Sequence, residues 1–284
     1  MKRILLLFVI LFSVVSVGFS QDAATLINNA NAALKAKNYA QAYTLYESAM
    51  GNMGNVKIDD AINYNIGLAA FNAKKYSAAV KYLNKAVVAK ANLPQTYELL
   101  GKTYTKLYKN KEAIDSYQKA IAAGNTDKGS IYYNSGIAAY KGKMYKKASD
   151  LFGKAVSENF NPDKATFLKA LAVKKTGDMD GYKKVLEEGV KNYPNSSKLK
   201  KSLSNIYVDE GKSIYKKGVA VLTNANAKVK SGAMKTTDDS YKTAISESKT
   251  LFTSAVKVSK QALAIDATNK NALSLIDACS QMLK

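Results

Sequence analysis

The sequence predicts an all-α fold, a solenoid of helix-turn-helix repeats that ends in an elongated hairpin and a capping helix. Three observations predict it. Small residues recur in separate registers: Gly67, Gly101 and Gly136 lie 34 and 35 residues apart, Ala79, Ala113 and Ala148 share that spacing, and Ala86, Ala120, Ala155 and Gly189 continue it. A fixed period of this length is the mark of stacked supersecondary units. Pro94, Pro162 and Pro194, all the prolines of the chain, fall between the repeats, where a helix is expected to stop. Beyond Ser197, apolar residues keep a helical three-and-four spacing over two long stretches.

Residues 1–20 read as a secretory signal peptide. Lys2 and Arg3 form a basic start, Ile4 to Val17 an apolar run, and Gly18-Phe19-Ser20 a small-x-small cleavage site before Gln21. The uncharged stretch from Ile4 to Phe19 is 16 residues long, and a spanning helix needs roughly 20. An anchor is therefore not expected, and the one cysteine, Cys279, is far from where an N-terminal acyl anchor would be attached.

Residues 21–195 read as five repeats. The second, third and fourth carry YNIGLAAFNAKKYSAAVKYLNKAV, YELLGKTYTKLYKNKEAIDSYQKAI and YNSGIAAYKGKMYKKASDLFGKAV. Ala30, Ala42, Tyr46 and Ala49 extend the pattern backward as a first repeat. Ala170, Leu186, Gly189 and Pro194 extend it forward as a fifth, with Tyr182 where Ala is expected. A loop from Gly51 to Ile58 carries the extra residues ahead of the second repeat.

Residues 196–284 read as an elongated sixth hairpin plus a capping helix. Leu199, Leu203, Ile206, Ile214, Val221 and Val229 continue one helix from Ser197 to about Lys230. Ser231-Gly232 and then Thr236-Thr237-Asp238-Asp239 supply the turn. A second long helix follows through Tyr241, Ile245, Phe252, Ala255, Ala262 and Ile265, and a third runs from Asn271 to Leu283. A solenoid needs its last apolar face covered, which makes this a closing element; a coiled-coil dimerisation arm is the alternative. Cys279 shares a face with Ala272, Leu275, Ile276, Met282 and Leu283, so it is expected to be a buried small hydrophobe. No disulfide framework is available to one cysteine.

These residues resemble the tetratricopeptide repeat family. Counting the small first-helix residue as position eight, small residues fall at positions twenty and twenty-seven, with Leu83, Tyr117 and Phe152 at position twenty-four. Small side chains let helices approach while the large one fills the space between hairpins. The resemblance implies a right-handed superhelix whose first helices line a concave groove that binds peptides or protein segments, as an exported bacterial member would do in the cell envelope.

It also implies which positions face that groove: five, six, nine, twelve and thirteen. Asn28, Asn65 and Asn134 occupy position six, and Asn31 position nine of the first repeat. An amide offers donors and an acceptor to an extended backbone without reading its sequence. Tyr64, Phe71, Tyr133, Tyr140 and Phe167 would interleave apolar surface, and Lys102, Lys106, Lys141 and Lys174 would add positive charge suited to an acidic partner. Members that clamp a C-terminal carboxylate use a fixed set of Lys and Asn. Here Ile27, Gln95 and Leu99 in one frame, and Glu98, Lys102 and Leu168 in another, do not match that set.

Composition removes most chemistry. The chain has no His, no Trp and one Cys, which excludes an imidazole base, a Cys-His pair and a thiolate zinc site. The pairs Asp59-Asp60, Glu187-Glu188 and Asp238-Asp239 are adjacent in sequence, and neighbours on a helix diverge by about 100° instead of facing across a substrate. GNMGN at Gly51–Asn55 lacks the Lys-Ser/Thr of a phosphate loop. No enzyme, metal or cofactor is expected. Net charge is +21, and Arg3 is the only arginine; nucleic-acid readers lean on Arg, so a nucleic-acid partner is not expected. The expected function is a non-enzymatic protein-interaction scaffold, exported to the periplasm, the outer membrane or the medium, with a protein or peptide partner. The alternative is a lysine-rich surface that associates peripherally with envelope polyanions, anionic lipid or acidic polysaccharide.

Overall fold

The computed structural model describes residues 22–52 and 59–284. The signal-peptide reading of residues 1–20 and the loop reading of residues 53–58 lie outside them. Among the described residues there are thirteen helices and no strand. They fall into two compact units, one ending at Leu107 and one running from Tyr108 to Lys284.

The first unit contains α1 (Ala23–Lys35), α2 (Tyr39–Gly51), α3 (Ile62–Asn72), α4 (Tyr76–Val88) and α5 (Leu93–Lys106). The second contains α6 (Asn110–Ala122), α7 (Lys128–Lys141), α8 (Tyr145–Ser157), α9 (Pro162–Lys175), α10 (Met179–Asn192), α11 (Ser197–Lys230), α12 (Asp239–Ile265) and α13 (Lys270–Leu283). Two prolines begin helices instead of ending them: Pro94 and Pro162 occupy the first turns of α5 and α9. A first-turn N–H has no intrahelical acceptor, so its loss is harmless there, and proline's fixed φ suits a helix start.

Tight turns join the two helices of a hairpin. After α1, the N–H of Lys37 bonds to Leu34 O and that of Asn38 to Ala33 O at 2.8 Å; the same paired bonds close α3 (Lys75 to Ala70, 2.8 Å) and α7 (Met144 to Ala139, 2.9 Å). This is a Schellman closure, which needs a left-handed residue. Lys37, Lys74 and Lys143 take it at φ 60°, 61° and 58°, although glycine fits that conformation at lower cost.

Small-to-large packing explains the period. A Cβ added to Gly67 would lie 2.6 Å from Leu83 Cγ, and one added to Gly136 would lie 2.8 Å from two ring atoms of Phe152. Leu83 and Phe152 are fully buried. The small residue of a first helix therefore receives the large residue of the second helix of the same hairpin, with both anchored in a contiguous apolar core. In the first unit, Ala30, Ala42, Tyr46, Ile66 and Ala69 form one such cluster, and Ala70, Ala79, Leu83, Leu99 and Leu100 another.

The closing hairpin follows a different rule. On α11 the buried Ser204, Gly211, Gly218 and Ala225 recur every seven residues; on α12 the buried Ser248, Phe252, Ala255, Ser259 and Ala262 alternate steps of four and three. Those are heptad seams, and here they face each other within one chain. Phe252 fills the gap left at Gly218, whose added Cβ would meet the ring at 2.8 Å. Ser204 Oγ donates to Ala262 O at 2.9 Å. Asn269 fixes α13: its Oδ1 caps the N–H groups of Asn271 and Ala272, while its Nδ2 donates to Ser204 Oγ at 2.8 Å and to Asn205 Oδ1 at 3.1 Å. Cys279 is buried beside Phe252, Ala255 and Leu275, and burial raises its thiol pKa. No described helix is long and apolar enough to cross a membrane.

Candidate partner-binding face

In the first unit the candidate residues stand on α1, α3 and α5. Asn28 and Asn31 are exposed on α1, and Asn65 is half-buried on α3. Asn31 is held by a residue that the sequence presents only as packing. Tyr46, on α2, is fully buried, and its hydroxyl donates to Asn31 Oδ1 at 2.5 Å. Burial pushes the Tyr46 pKa up to about 12, against the opposing effect of Asn65. A buried hydroxyl without partners is costly, and Asn31 satisfies it.

Tyr64 is half-buried on α3, and its pKa is raised by burial and then by the Glu98 carboxylate. Glu98 also pairs with Lys102 at 2.5 Å along α5, so the charge of Lys102 is matched locally. Lys106 is exposed one turn further on. Phe71 leans on Tyr76 of its own hairpin, with ring centroids 5.8 Å apart. A concavity of about 580 Å³ lies elsewhere, lined by Asp59, Asp60, Lys81 and Lys85 among others, and none of the candidate residues lines it.

In the second unit the candidates stand on α7 and α9. Asn134 is half-buried, with Nδ2 3.4 Å from Ser130 Oγ. Tyr133 packs edge-on against Phe152 (5.9 Å) and Phe160 (5.5 Å), and Tyr140 against Tyr145 (5.4 Å). Burial and the Asp163 carboxylate raise the Tyr133 pKa. Phe167 is half-buried under Lys198, whose Nζ lies 5.8 Å from the ring centroid. Lys141 and Lys174 are exposed and sit over the rings of Tyr108 and Tyr182 at 5.7 and 5.0 Å. Such contacts hold a lysine stem along an aromatic face while its charge stays in water. Tyr182 thus packs on α10 under Lys174, where the repeat pattern expects alanine.

Sequence reasoning missed the role of Tyr46, which it placed among the large packing residues. The available signal is a hydroxyl at a position where Leu83, Phe152 and Leu186 stand in the second, fourth and fifth hairpins, although the third also carries a tyrosine, Tyr117.

No group of His, Cys, Asp and Glu suited to a metal ion occurs among the described residues. Residues 61–92 and 94–123 match the family model of the tetratricopeptide repeat. No curated protein sequence matches the chain. Among solved structures, the C-terminal part of a TPR repeat-containing protein from Cytophaga hutchinsonii is similar at 19% identity and a TM-score of 0.54, covering 90% of this chain and 88% of that one. MamA is similar at 20% identity and a TM-score of 0.51, covering 62% of this chain and 94% of its own. YrrB, described as a TPR protein with an unusual peptide-binding site, is similar at 18% identity and a TM-score of 0.51, covering 63% of this chain and 90% of its own. At these identities the likeness is one of fold. The tetratricopeptide repeat is thus matched in sequence by two segments of the chain, and its helical-hairpin fold by structures that cover as much as 90% of it.

Proposed function

We propose that this chain is an exported, non-catalytic scaffold of a bacterial cell envelope that holds an extended segment of a protein partner on its first helices. The observation that carries the reading is Asn31, an exposed amide of α1 whose Oδ1 is held by the buried Tyr46 hydroxyl, with Asn65 half-buried on α3. A side-chain amide held in this way offers backbone-directed hydrogen bonds with little ordering cost on binding. The half-buried ring of Tyr64 adds apolar surface on the same helix as Asn65. A structure of similar fold, YrrB, is described as having a peptide-binding site, which supports the class of ligand. Lys106, Lys141 and Lys174 suit an acidic partner.

The test is affinity capture from an envelope extract at low and high salt, comparing the chain from Gln21 onward with its Asn65→Ala, Asn134→Ala form. A defined protein kept at high salt and lost with the double change is the expected result. Recovery of polyanionic material alone, released by salt and indifferent to both amides, would move the function to the lysine surface. Export is checked separately by sequencing the N-terminus of the protein recovered outside the inner membrane. A start at Gln21 is expected, and an intact Met1 would refute it.

A further inference from the structure

A concavity of about 180 Å³ lies where α8, α9 and α10 meet, and none of the candidate residues of the partner-binding face lines it. Gly153 and Gly189 bring no side chain to its wall. A Cβ added to Gly189 would lie 2.9 Å from Thr166 Cγ2, so the threonine rests its methyl on that glycine. Thr166 is only 8% exposed and lines the cavity. A helical threonine commonly returns its hydroxyl to the carbonyl four residues back, as Thr103 does to Leu99 O at 2.6 Å and Thr105 to Gly101 O at 2.8 Å. Thr166 makes no such bond, and its hydroxyl has no partner among the described residues. One turn on, Lys169 is half-buried and lines the same cavity, as does Glu188 of α10. Neither forms an ion pair among the described residues. An ammonium and a carboxylate thus share one cavity without meeting, beside a buried hydroxyl that bonds to nothing.

We infer that this cavity binds a small zwitterion, a free α-amino acid with a short side chain. Lys169 and the Thr166 hydroxyl take its carboxylate, Glu188 and the Asn192 carbonyl take its ammonium, and Val156 and Val185 face its side chain. A simple anion would satisfy Lys169 and be repelled by Glu188, and a simple cation the reverse, whereas a ligand with both charges suits both groups. The last turns of α8 and α10 also line the cavity, and helix C-termini favour positive charge, which supports the ammonium end. Size limits the side chain. Liquid water takes about 30 Å³ per molecule, so a volume of about 180 Å³ holds about six non-hydrogen atoms, the size of alanine. The interior of a peptide carries neither charge, so this site is separate from the segment-binding face and does not rest on it. Its occupant bridges the fourth and fifth hairpins, and binding is therefore expected to raise the thermal midpoint.

The test is calorimetry on the chain from Gln21 with glycine, L-alanine, L-serine and L-valine. Propionate, which is alanine without its ammonium, and ethylamine, which is alanine without its carboxylate, serve as fragments that carry one charge each. At least one amino acid is expected to bind, and each fragment to bind at least about tenfold more weakly, the worth of one charged hydrogen bond. Lys169→Met and Glu188→Gln, which keep side-chain shape, are each expected to weaken the amino acid by about tenfold or more. Lys164→Met, at an exposed residue of α9 outside the cavity, is expected to leave Kd unchanged. Thr166→Val removes only the hydroxyl; it is expected to weaken binding while leaving the urea midpoint of the unliganded protein level with wild type or above it, because no bond within the protein is lost. Propionate binding as tightly as the best amino acid, with Glu188→Gln neutral, would make this an anion site and overturn the zwitterion. Absence of binding by all four amino acids at millimolar concentration would overturn the site altogether.

Discussion

Gly136→Ala and Gly153→Ala make the same chemical change on the two helices of one hairpin, yet the structure assigns them different outcomes. Alanine is favoured over glycine within a helix by about 1 kcal/mol, and that gain applies to both. At Gly153 the added Cβ meets only Lys169 Nζ, at 4.0 Å, so the full gain is expected. At Gly136 the added Cβ lies 2.8 Å from Cδ1 and Cε1 of Phe152. That ring is fully buried and braced edge-on by Tyr133 at 5.9 Å, so it cannot swing clear. Overpacking of this kind costs about 1–3 kcal/mol. Gly136→Ala is therefore expected to be neutral to about 2 kcal/mol destabilising, and the two variants to differ by about 1–3 kcal/mol, because the helix term cancels between them. Urea unfolding followed by circular dichroism measures the difference as a shift of midpoint at constant slope. Gly136→Ala matching or exceeding Gly153→Ala in stability would refute small-to-large packing as the origin of the period.

Lys143 closes α7 at φ 58° and Gly177 closes α9 at φ 88°; Lys143→Gly is expected to stabilise by up to about 1 kcal/mol and Gly177→Ala to destabilise by about 1 kcal/mol, read as opposite shifts in thermal midpoint. Burial raises the Tyr46 pKa from 10.0 to about 12, so the folded state holds the phenol proton more tightly than the unfolded chain does. Its contribution is fully present below pH 10 and is lost as pH rises toward 12, and Tyr46→Phe is expected to flatten the stability curve there by about 2–3 kcal/mol. Equal slopes in both proteins would contradict it. Phe252→Ala opens the seam of α11 and α12 and is expected to cost about 3–5 kcal/mol, with protease cleavage appearing first in those two helices.

The hairpins were legible in the sequence because packing requires small residues at fixed intervals. Gly67, Gly136 and Gly189 each face a side chain that leaves no room for a Cβ, so their period is a direct record of contacts. The long helices were legible for a related reason: the apolar spacing runs without a stop to Lys230 and from Asp239 to Ile265. The turns were not, because Lys37, Lys74 and Lys143 adopt a conformation for which glycine is the usual signal. Flanking helices that are already packed impose it. At the candidate site, helical position alone cannot separate a ring that faces a partner from one that leans on its own hairpin. Phe71 and Tyr140 lean on Tyr76 and Tyr145, and only coordinates show it.

Ala30 and Tyr46 are 16 residues apart, as are Gly67 and Leu83, and Gly136 and Phe152. Leucine and phenylalanine bring only volume to that position, whereas tyrosine brings a hydroxyl that must be satisfied once its ring is buried. Asn31 satisfies it, so that amide has a reason to be present before any partner is considered. Asn31→Ala would remove the hydroxyl's acceptor together with the exposed amide, so a loss of affinity in that variant counts as recognition only where its urea midpoint matches that of wild type.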